Sequence, residues 1–420
     1  MQPARVYLTP GLFGFARLAG IEYFQHVQAA LEQRFRARGR IVEIYAADVH
    51  PTASIRRRAA RLAWLVHTTA GSDDGPIHLV GHSTGGLDAR MVASPNARLE
   101  DGLHPPMGWV ERLRSVTTLN TPHYGTPLAG FFVTAKGQQL LYSVSAITIA
   151  AIRLGGPPLV ATAALVAALG RTRERRILEL ELSDRVTDAL LRALDEASSI
   201  ELQSWLRHVR EDRGAMMQLT PESMDLFQAS VGDRPGLRTQ CVASYAPPGR
   251  ARDWLRHLRS PWAAVSAALF HLLQRLTALR DPRYPCTPSD GGDRVLASLL
   301  AAIPPLGAND GVVPLRSQLW GTPVWVGRAD HLDVVGYFRG RGDHTDWLSS
   351  GARFDRRAFG TVMDRIVSGM IEGEGAIARE ISTGGGAGGS DLPHGANADA
   401  WRRRAGAERH SACWLRSERA

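Results

Sequence analysis

A serine between two glycines is the clearest candidate for chemistry in this sequence of 420 residues. Ser83 stands in the pattern Gly81-x-Ser83-x-Gly85, directly after the apolar run 77–80 and before a predicted helix. On such a strand-to-helix turn, a serine hydroxyl projects from the edge of a sheet, and glycines avoid collisions with the neighbouring strand and helix. The pattern also occurs by chance in glycine-rich chains, but the flanking elements favour a nucleophile.

A nucleophilic serine needs a general base and an acid that orients the base. Asp310 lies late in the chain in a loop that turns on Gly311, and His331 follows the predicted strand 323–326. We predict that Asp310 orients His331 and that His331 deprotonates Ser83. Three other residues remain alternatives for these roles at this point: Asp330, Asp343 and His344.

When a serine attacks a substrate carbonyl, the carbonyl oxygen becomes an oxyanion, which two backbone N–H groups usually stabilise. One is predicted on Thr84, the residue after the nucleophile. The other is predicted on Leu12, because the loop 10–15 follows the first strand and its glycines allow the backbone to approach a substrate carbonyl.

These residues need a scaffold, and the first part of the chain alternates between strand and helix patterns. Such alternation predicts an α/β fold with a mostly parallel sheet flanked by helices. The predicted strands are 6–9, 41–46, 77–80, 114–120, 239–245 and 323–326. The predicted helices are 20–38, 53–68, 85–93, 261–279, 293–302 and 359–370.

The middle of the chain departs from this alternation, and four segments result. We predict a first core part (1–130), a helical insertion (131–235), a second core part carrying the acid and base (236–371), and a disordered tail rich in Gly, Ala, Ser and Arg (372–420). The insertion contains two apolar runs, 140–152 and 159–169, each too short to span a bilayer. A mobile lid and a buried helical pair are both consistent with them.

Composition narrows the function classes further. The net charge is +9, and nearly all of the positive charge comes from arginine side chains. These arginines do not alternate with aromatic residues as they would in a nucleic-acid-binding groove. We therefore expect no nucleic-acid partner. The three cysteines lie far apart, so they make no metal-binding pattern. Because a strand pattern begins almost at once, no signal peptide is apparent, and a cytoplasmic location is expected.

Several motifs together resemble those of bacterial triacylglycerol lipases of the Pseudomonas and Burkholderia type. The similar segments are 11–15, 81–90, 115–126, 309–311 and 331–333, within the ranges 5–132 and 290–338. The resemblance implies an α/β-hydrolase fold with a helical cap or lid. It also implies a serine carboxylic ester hydrolase that cleaves lipid-like esters through an acyl-enzyme, with transient contact to a lipid surface. One departure is Pro10, where the family usually has a histidine that supports the loop.

The same resemblance implies a structural calcium ion near the base, and no other cofactor. Its carboxylate ligands would be Asp293 and Asp333, with backbone carbonyls around Tyr337 and Arg341. Oxygen ligands of this kind suit calcium. The alternative for Asp333 is a solvated or capping residue.

Two other functions are compatible with the sequence. An acyltransferase would use the same acyl-enzyme but pass the acyl group to an alcohol. A catalytically silent relative would bind a lipid or a protein partner, but it would have no need to keep a serine, an acid and a histidine in this order.

Overall fold

The computed structural model describes most of the chain outside the middle segment and the tail. The described residues are 2–12, 17–18, 21–100, 102, 105–134, 137, 196–212, 214–248, 261–340, 346 and 349–383. Residues 1–377 form one compact unit. Of the second unit, residues 378–420, only the end of one helix at 378–383 is described.

A six-stranded parallel sheet organises the described residues, in the order β4-β1-β5-β6-β7-β8. The predicted fold class, a mostly parallel sheet flanked by helices, is confirmed. The strands are β1 (Ala4–Thr9), β2 (Arg17–Leu18), β3 (Ile21–Glu22), β4 (Val42–Ala46), β5 (Ile77–His82), β6 (Leu113–Leu119), β7 (Arg238–Tyr245) and β8 (Thr322–Arg328). The antiparallel pair β2–β3 was not predicted from the sequence.

Helices cover both faces of this sheet, since successive residues of a strand point to opposite sides. In β1, Val6 and Leu8 enter one hydrophobic core and Tyr7 enters the other. The helices are α1 (Gln25–Ala37), α2 (Ile55–Thr69), α3 (Thr84–Ala93), α4 (Pro127–Phe132), α5 (Glu196–Glu211), α6 (Gly214–Gln218), α7 (Pro221–Ser230), α8 (Pro261–Thr277), α9 (Asp293–Leu299) and α10 (Arg356–Thr383). Buried residues of α1, α8 and α10 share the first core, and those of α2, α3 and α7 share the second.

The closing helix extends farther than its apolar pattern predicted. Residues 372–383 were expected in the tail, but α10 continues through them. Glu374 explains part of the difference: its carboxylate contacts Arg40 and lies 3.1 Å from Nε2 of His78. Polar contacts of this kind anchor a helix without an apolar signal in the sequence. Residues 384–420 lie outside the described residues.

The predicted insertion is only partly described. The two apolar runs lie outside the described residues, whereas α6 and α7 pack on the core. The Ala215 N–H donates to the Thr52 carbonyl at 2.9 Å, and Phe227 is buried in the second core. The C-terminal end of the predicted insertion, which contains α6 and α7, therefore packs as part of the core. Within the described ranges, no helix is both long enough and apolar enough to cross a membrane.

A fully buried ion pair joins α2 to α3. Arg58 Nη2 lies 2.8 Å from Asp88 Oδ2, and neither side chain is exposed to solvent. Thr9 also donates to Asp88, at 3.2 Å. Burial raises the pKa of Asp88 to about 6, against the opposing effect of Arg58. The carboxylate therefore depends on Arg58 to remain charged in this environment.

Replacing Arg58 by methionine is expected to lower the free energy of unfolding by about 3–5 kcal/mol, because a buried carboxylate loses its counter-charge. Denaturant unfolding at pH 7.5 measures this change. The matched double variant Arg58→Met/Asp88→Leu should recover most of the loss, since it removes both charges. A single variant as stable as the wild type would contradict the expectation.

Candidate active site

The predicted site residues come from loops that follow the carboxyl ends of parallel strands, which is where open α/β sheets place their sites. Leu12 lies just after β1, Ser83 and Thr84 follow β5, and His331 follows β8. Asp310 joins them because the carbonyl of the preceding residue, Asn309, accepts from the residue after β7, Ala246, at 2.9 Å.

Ser83 occupies a strained turn between β5 and α3. Its φ is 54° and its ψ −127°, a conformation that side-chain-bearing residues rarely adopt. A Cβ on Gly81 would lie 2.2 Å from the backbone of Gly85, and one on Gly85 would lie 2.1 Å from the Thr9 carbonyl oxygen. Only glycine fits at these two positions, which explains the Gly-x-Ser-x-Gly spacing in physical terms.

The predicted acid and base are in direct contact. His331 Nδ1 lies 2.7 Å from Asp310 Oδ2, and both side chains are buried. The other carboxylate oxygen, Oδ1, accepts from the N–H groups of Val312 and Val313 at 2.8 and 2.7 Å. These bonds fix the orientation of the carboxylate, so that one oxygen remains for the imidazole.

The alternative acids and base have different surroundings. Asp330 Oδ1 accepts from the N–H groups of Leu332 and Asp333, both at 3.0 Å, and so shapes the loop after β8. Asp343 and His344 lie outside the described residues. Of the candidate pairs that the structure describes, Asp310 with His331 is the one that it brings together.

The first loop packs closely against the serine turn. A Cβ on Gly11 would lie 2.7 Å from Ser83 Cβ and 3.2 Å from Ser83 Oγ. A glycine is therefore needed here for the loop to pass beside the nucleophile. The following residue, Leu12, is partly buried, and Thr84 is the first residue of α3. The positive end of the α3 dipole favours negative charge at this position.

Two buried side chains beside Ser83 were not singled out from the sequence. Tyr23 Oη lies 2.7 Å from His82 Nδ1, and His82 Nε2 lies 2.8 Å from the carbonyl oxygen of His331. Burial, with His331 nearby, holds the pKa of His82 well below its usual value, so its imidazole is neutral. His82 occupies a variable position of the serine motif, and Tyr23 lies outside every motif, so no sequence signal identified them.

The predicted calcium ligands lie in two separate networks. The Asp293 carboxylate is 2.7 Å from Arg316 Nη2, an ion pair that already neutralises it. Asp333 is buried, and its Oδ2 accepts from the Asp330 N–H at 2.8 Å. The described residues contain no group of three or more His, Cys, Asp or Glu that could hold a metal ion. Asp293 already has a counter-charge in Arg316, and calcium binding by Asp293 and Asp333 stays a prediction.

With the site in place, the chain can be compared with known proteins. No protein-family model matches it. Over 125 residues it is 31% identical to a triacylglycerol lipase of Vibrio cholerae. This stretch is 30% of the chain and 34% of the lipase, so the chain spans about a third of its curated relative. The match confirms the resemblance to triacylglycerol lipases that the motifs indicated.

Solved structures give weaker likenesses over more of the chain. The Staphylococcus hyicus lipase has a TM-score of 0.46 and 15% identity, covering 90% of this chain and 97% of that one. EstA from Clostridium botulinum has a TM-score of 0.45 and 16% identity, covering 86% and 88%.

Proposed function

We propose that this protein is a serine hydrolase that cleaves carboxylic esters of apolar acyl groups. The observation that carries the proposal is the buried contact of 2.7 Å between Asp310 Oδ2 and His331 Nδ1, on the same sheet edge as the strained turn of Ser83. A carboxylate, an imidazole and a serine on a strand-to-helix turn are the three groups that nucleophilic acyl transfer requires.

In the proposed reaction, the Asp310 carboxylate accepts a hydrogen bond from the Nδ1–H of His331, which keeps Nε2 unprotonated and able to act as the base. His331 takes the proton of Ser83 as the serine oxygen attacks the ester carbonyl. The N–H groups of Leu12 and Thr84 stabilise the oxyanion. Protonated His331 then gives its proton to the leaving alcohol. A water molecule attacks the acyl-enzyme by the same sequence and releases the acid.

The apolar character of the acyl group is supported by the neighbours of the polar residues. Leu12, Val312 and Leu332 lie within two residues of the proposed reacting groups and pack on the first core. Leu12 and Val312 are only partly buried, so they retain surface for an acyl chain. The likeness to a triacylglycerol lipase agrees with a lipid-like ester.

Labelling with a fluorophosphonate tests the proposal directly, because this reagent phosphonylates activated serines. We expect the wild type to be labelled and Ser83→Ala to remain unlabelled. The matched control is Ser94→Ala, at the other end of α3, which should be labelled like the wild type. Absent labelling of the wild type, or equal labelling of Ser83→Ala, would overturn the proposal.

A further inference from the structure

A chain of hydrogen bonds runs beside Ser83 and joins the first loop to the backbone of the proposed base. Burial raises the pKa of the Tyr23 hydroxyl, and the backbone of Gly11 acts on the same hydroxyl in the opposite direction. Tyr23 Oη lies 2.7 Å from His82 Nδ1, and His82 Nε2 lies 2.8 Å from the His331 carbonyl oxygen. Tyr23 is 7% exposed and His82 1% exposed, so water does not compete for these bonds.

The proton positions along this chain follow from its two ends. A carbonyl oxygen can only accept, so His82 Nε2 carries the proton that bonds to His331. In the neutral ring, Nδ1 is then an acceptor and receives the proton of the Tyr23 hydroxyl. The Tyr23 oxygen then has a lone pair available for the backbone of Gly11. With these proton positions, the Tyr23 and His82 side chains connect the first loop to the backbone of His331 in a defined geometry.

We infer that Tyr23 and His82 are positioning residues that keep the oxyanion loop and His331 aligned with Ser83. This inference rests on the proposed function, because the alignment matters only if these groups react together. The His82 ring also packs beside the His331 ring, with the ring centroids 4.7 Å apart, but neither Tyr23 nor His82 transfers a proton in the proposed reaction. Their effect is on the backbone of Gly11 at one end of the chain and the His331 carbonyl at the other.

At the loop end, a single peptide plane is held on both sides. The Pro10 carbonyl and the Gly11 N–H belong to the same peptide bond. Arg58 Nη2 donates to the carbonyl, and the backbone of Gly11 acts on the Tyr23 hydroxyl. The next peptide bond carries the Leu12 N–H, so the clamp fixes the starting direction of the proposed oxyanion donor. A donor displaced by about 1 Å can cost roughly 100-fold in rate.

At the base end, the backbone of His331 is also held on both sides. Its carbonyl accepts from His82, and its N–H donates to the Asp310 carbonyl at 3.0 Å. Asn120 Nδ2 adds a longer contact of 3.4 Å to the same carbonyl. With its backbone fixed and Nδ1 bound to the Asp310 carboxylate, the imidazole keeps Nε2 in a constant direction.

Tyr23→Phe isolates the hydroxyl while it keeps the aromatic ring. We expect kcat for a short-chain p-nitrophenyl ester to fall about 10- to 100-fold, with KM within about 2-fold of the wild type, because alignment changes and binding does not. The rate of fluorophosphonate labelling should fall by a similar factor. Tyr7→Phe is the matched control, because it also removes the hydroxyl of a buried tyrosine. The Tyr7 hydroxyl accepts a hydrogen bond from Thr69, and Tyr7 lies in the second core, on the opposite face of the sheet from the first core.

The outcomes separate this inference from the proposed function. Wild-type kcat in Tyr23→Phe, or an equal fall in Tyr7→Phe, would overturn the positioning role and leave the proposed function standing. A wild type without Ser83-dependent labelling would overturn both. The melting temperatures of both variants are measured as well. If a general loss of structure caused the lower kcat, the melting temperature of Tyr23→Phe would fall, and Tyr7→Phe would lose kcat too.

A second pair of variants tests the other member of the chain. His82→Leu should lower kcat at least as much as Tyr23→Phe. His82→Gln should recover part of that loss, because its amide offers both a donor and an acceptor. The double variant Tyr23→Phe/His82→Leu should be no slower than His82→Leu, since one chain is broken once. Additive losses would contradict the connected chain.

Discussion

Ser83→Ala is expected to lower kcat for a short-chain p-nitrophenyl ester by about 10⁴- to 10⁶-fold, because it removes the atom that forms the acyl-enzyme. The substitution deletes one oxygen and leaves the backbone conformation available, since alanine and serine face the same strain at a φ of 54°. The melting temperature should therefore stay close to that of the wild type. Initial rates of p-nitrophenol release, measured on folded protein, give the ratio.

A double variant sharpens this expectation. If Ser83 and His331 act as one unit, Ser83→Ala/His331→Ala should be about as slow as Ser83→Ala alone. Losses that multiply would indicate that His331 serves a separate role. Ser94→Ala, at the residue that follows the end of α3, should retain wild-type turnover. A Ser83→Ala variant with more than about a hundredth of wild-type kcat would contradict nucleophilic catalysis at this residue.

The local elements were largely predictable because their signals are short-range. The turn at Ser83 needs glycine at 81 and 85, and the structure shows that backbone atoms occupy the space of any Cβ there. Strand and helix periodicities located β5 and α3 for the same reason. Their bounds differ from the predicted ones by only a few residues.

The contacts that complete the site were less predictable, because they join distant parts of the chain. Tyr23 and His82 are 59 positions apart and become partners only when β1 and β5 pair. The resemblance to lipases implied Asp293 as a calcium ligand, whereas the structure pairs it with Arg316, 23 positions away. Glu374 anchors α10 through His78, which is 296 positions earlier. No periodicity or local motif encodes such pairs.

Asp310→Asn is expected to lower kcat by about 10⁴-fold, although the shape of the site is retained. The amide oxygen can still accept from Val312 and Val313, as Oδ1 does now. Its NH₂ group then faces His331 Nδ1, which must become an acceptor. The proton moves to Nε2, and the imidazole can no longer deprotonate Ser83. Initial rates across pH 6–9, together with the melting temperature, measure this loss on folded protein.

The matched control is Asp330→Asn, at one of the two other acids considered for the same role. Its amide oxygen can accept the N–H groups of Leu332 and Asp333, which preserves the loop after β8. Turnover should fall less than about 10-fold, because the carboxylate that accepts from His331 Nδ1 is that of Asp310 and not that of Asp330. If Asp330→Asn were the slower variant, the orienting acid would be Asp330. A large loss in Asp310→Asn alone would show that Asp310 determines the tautomer of His331. Proton transfer from Ser83 depends on that tautomer.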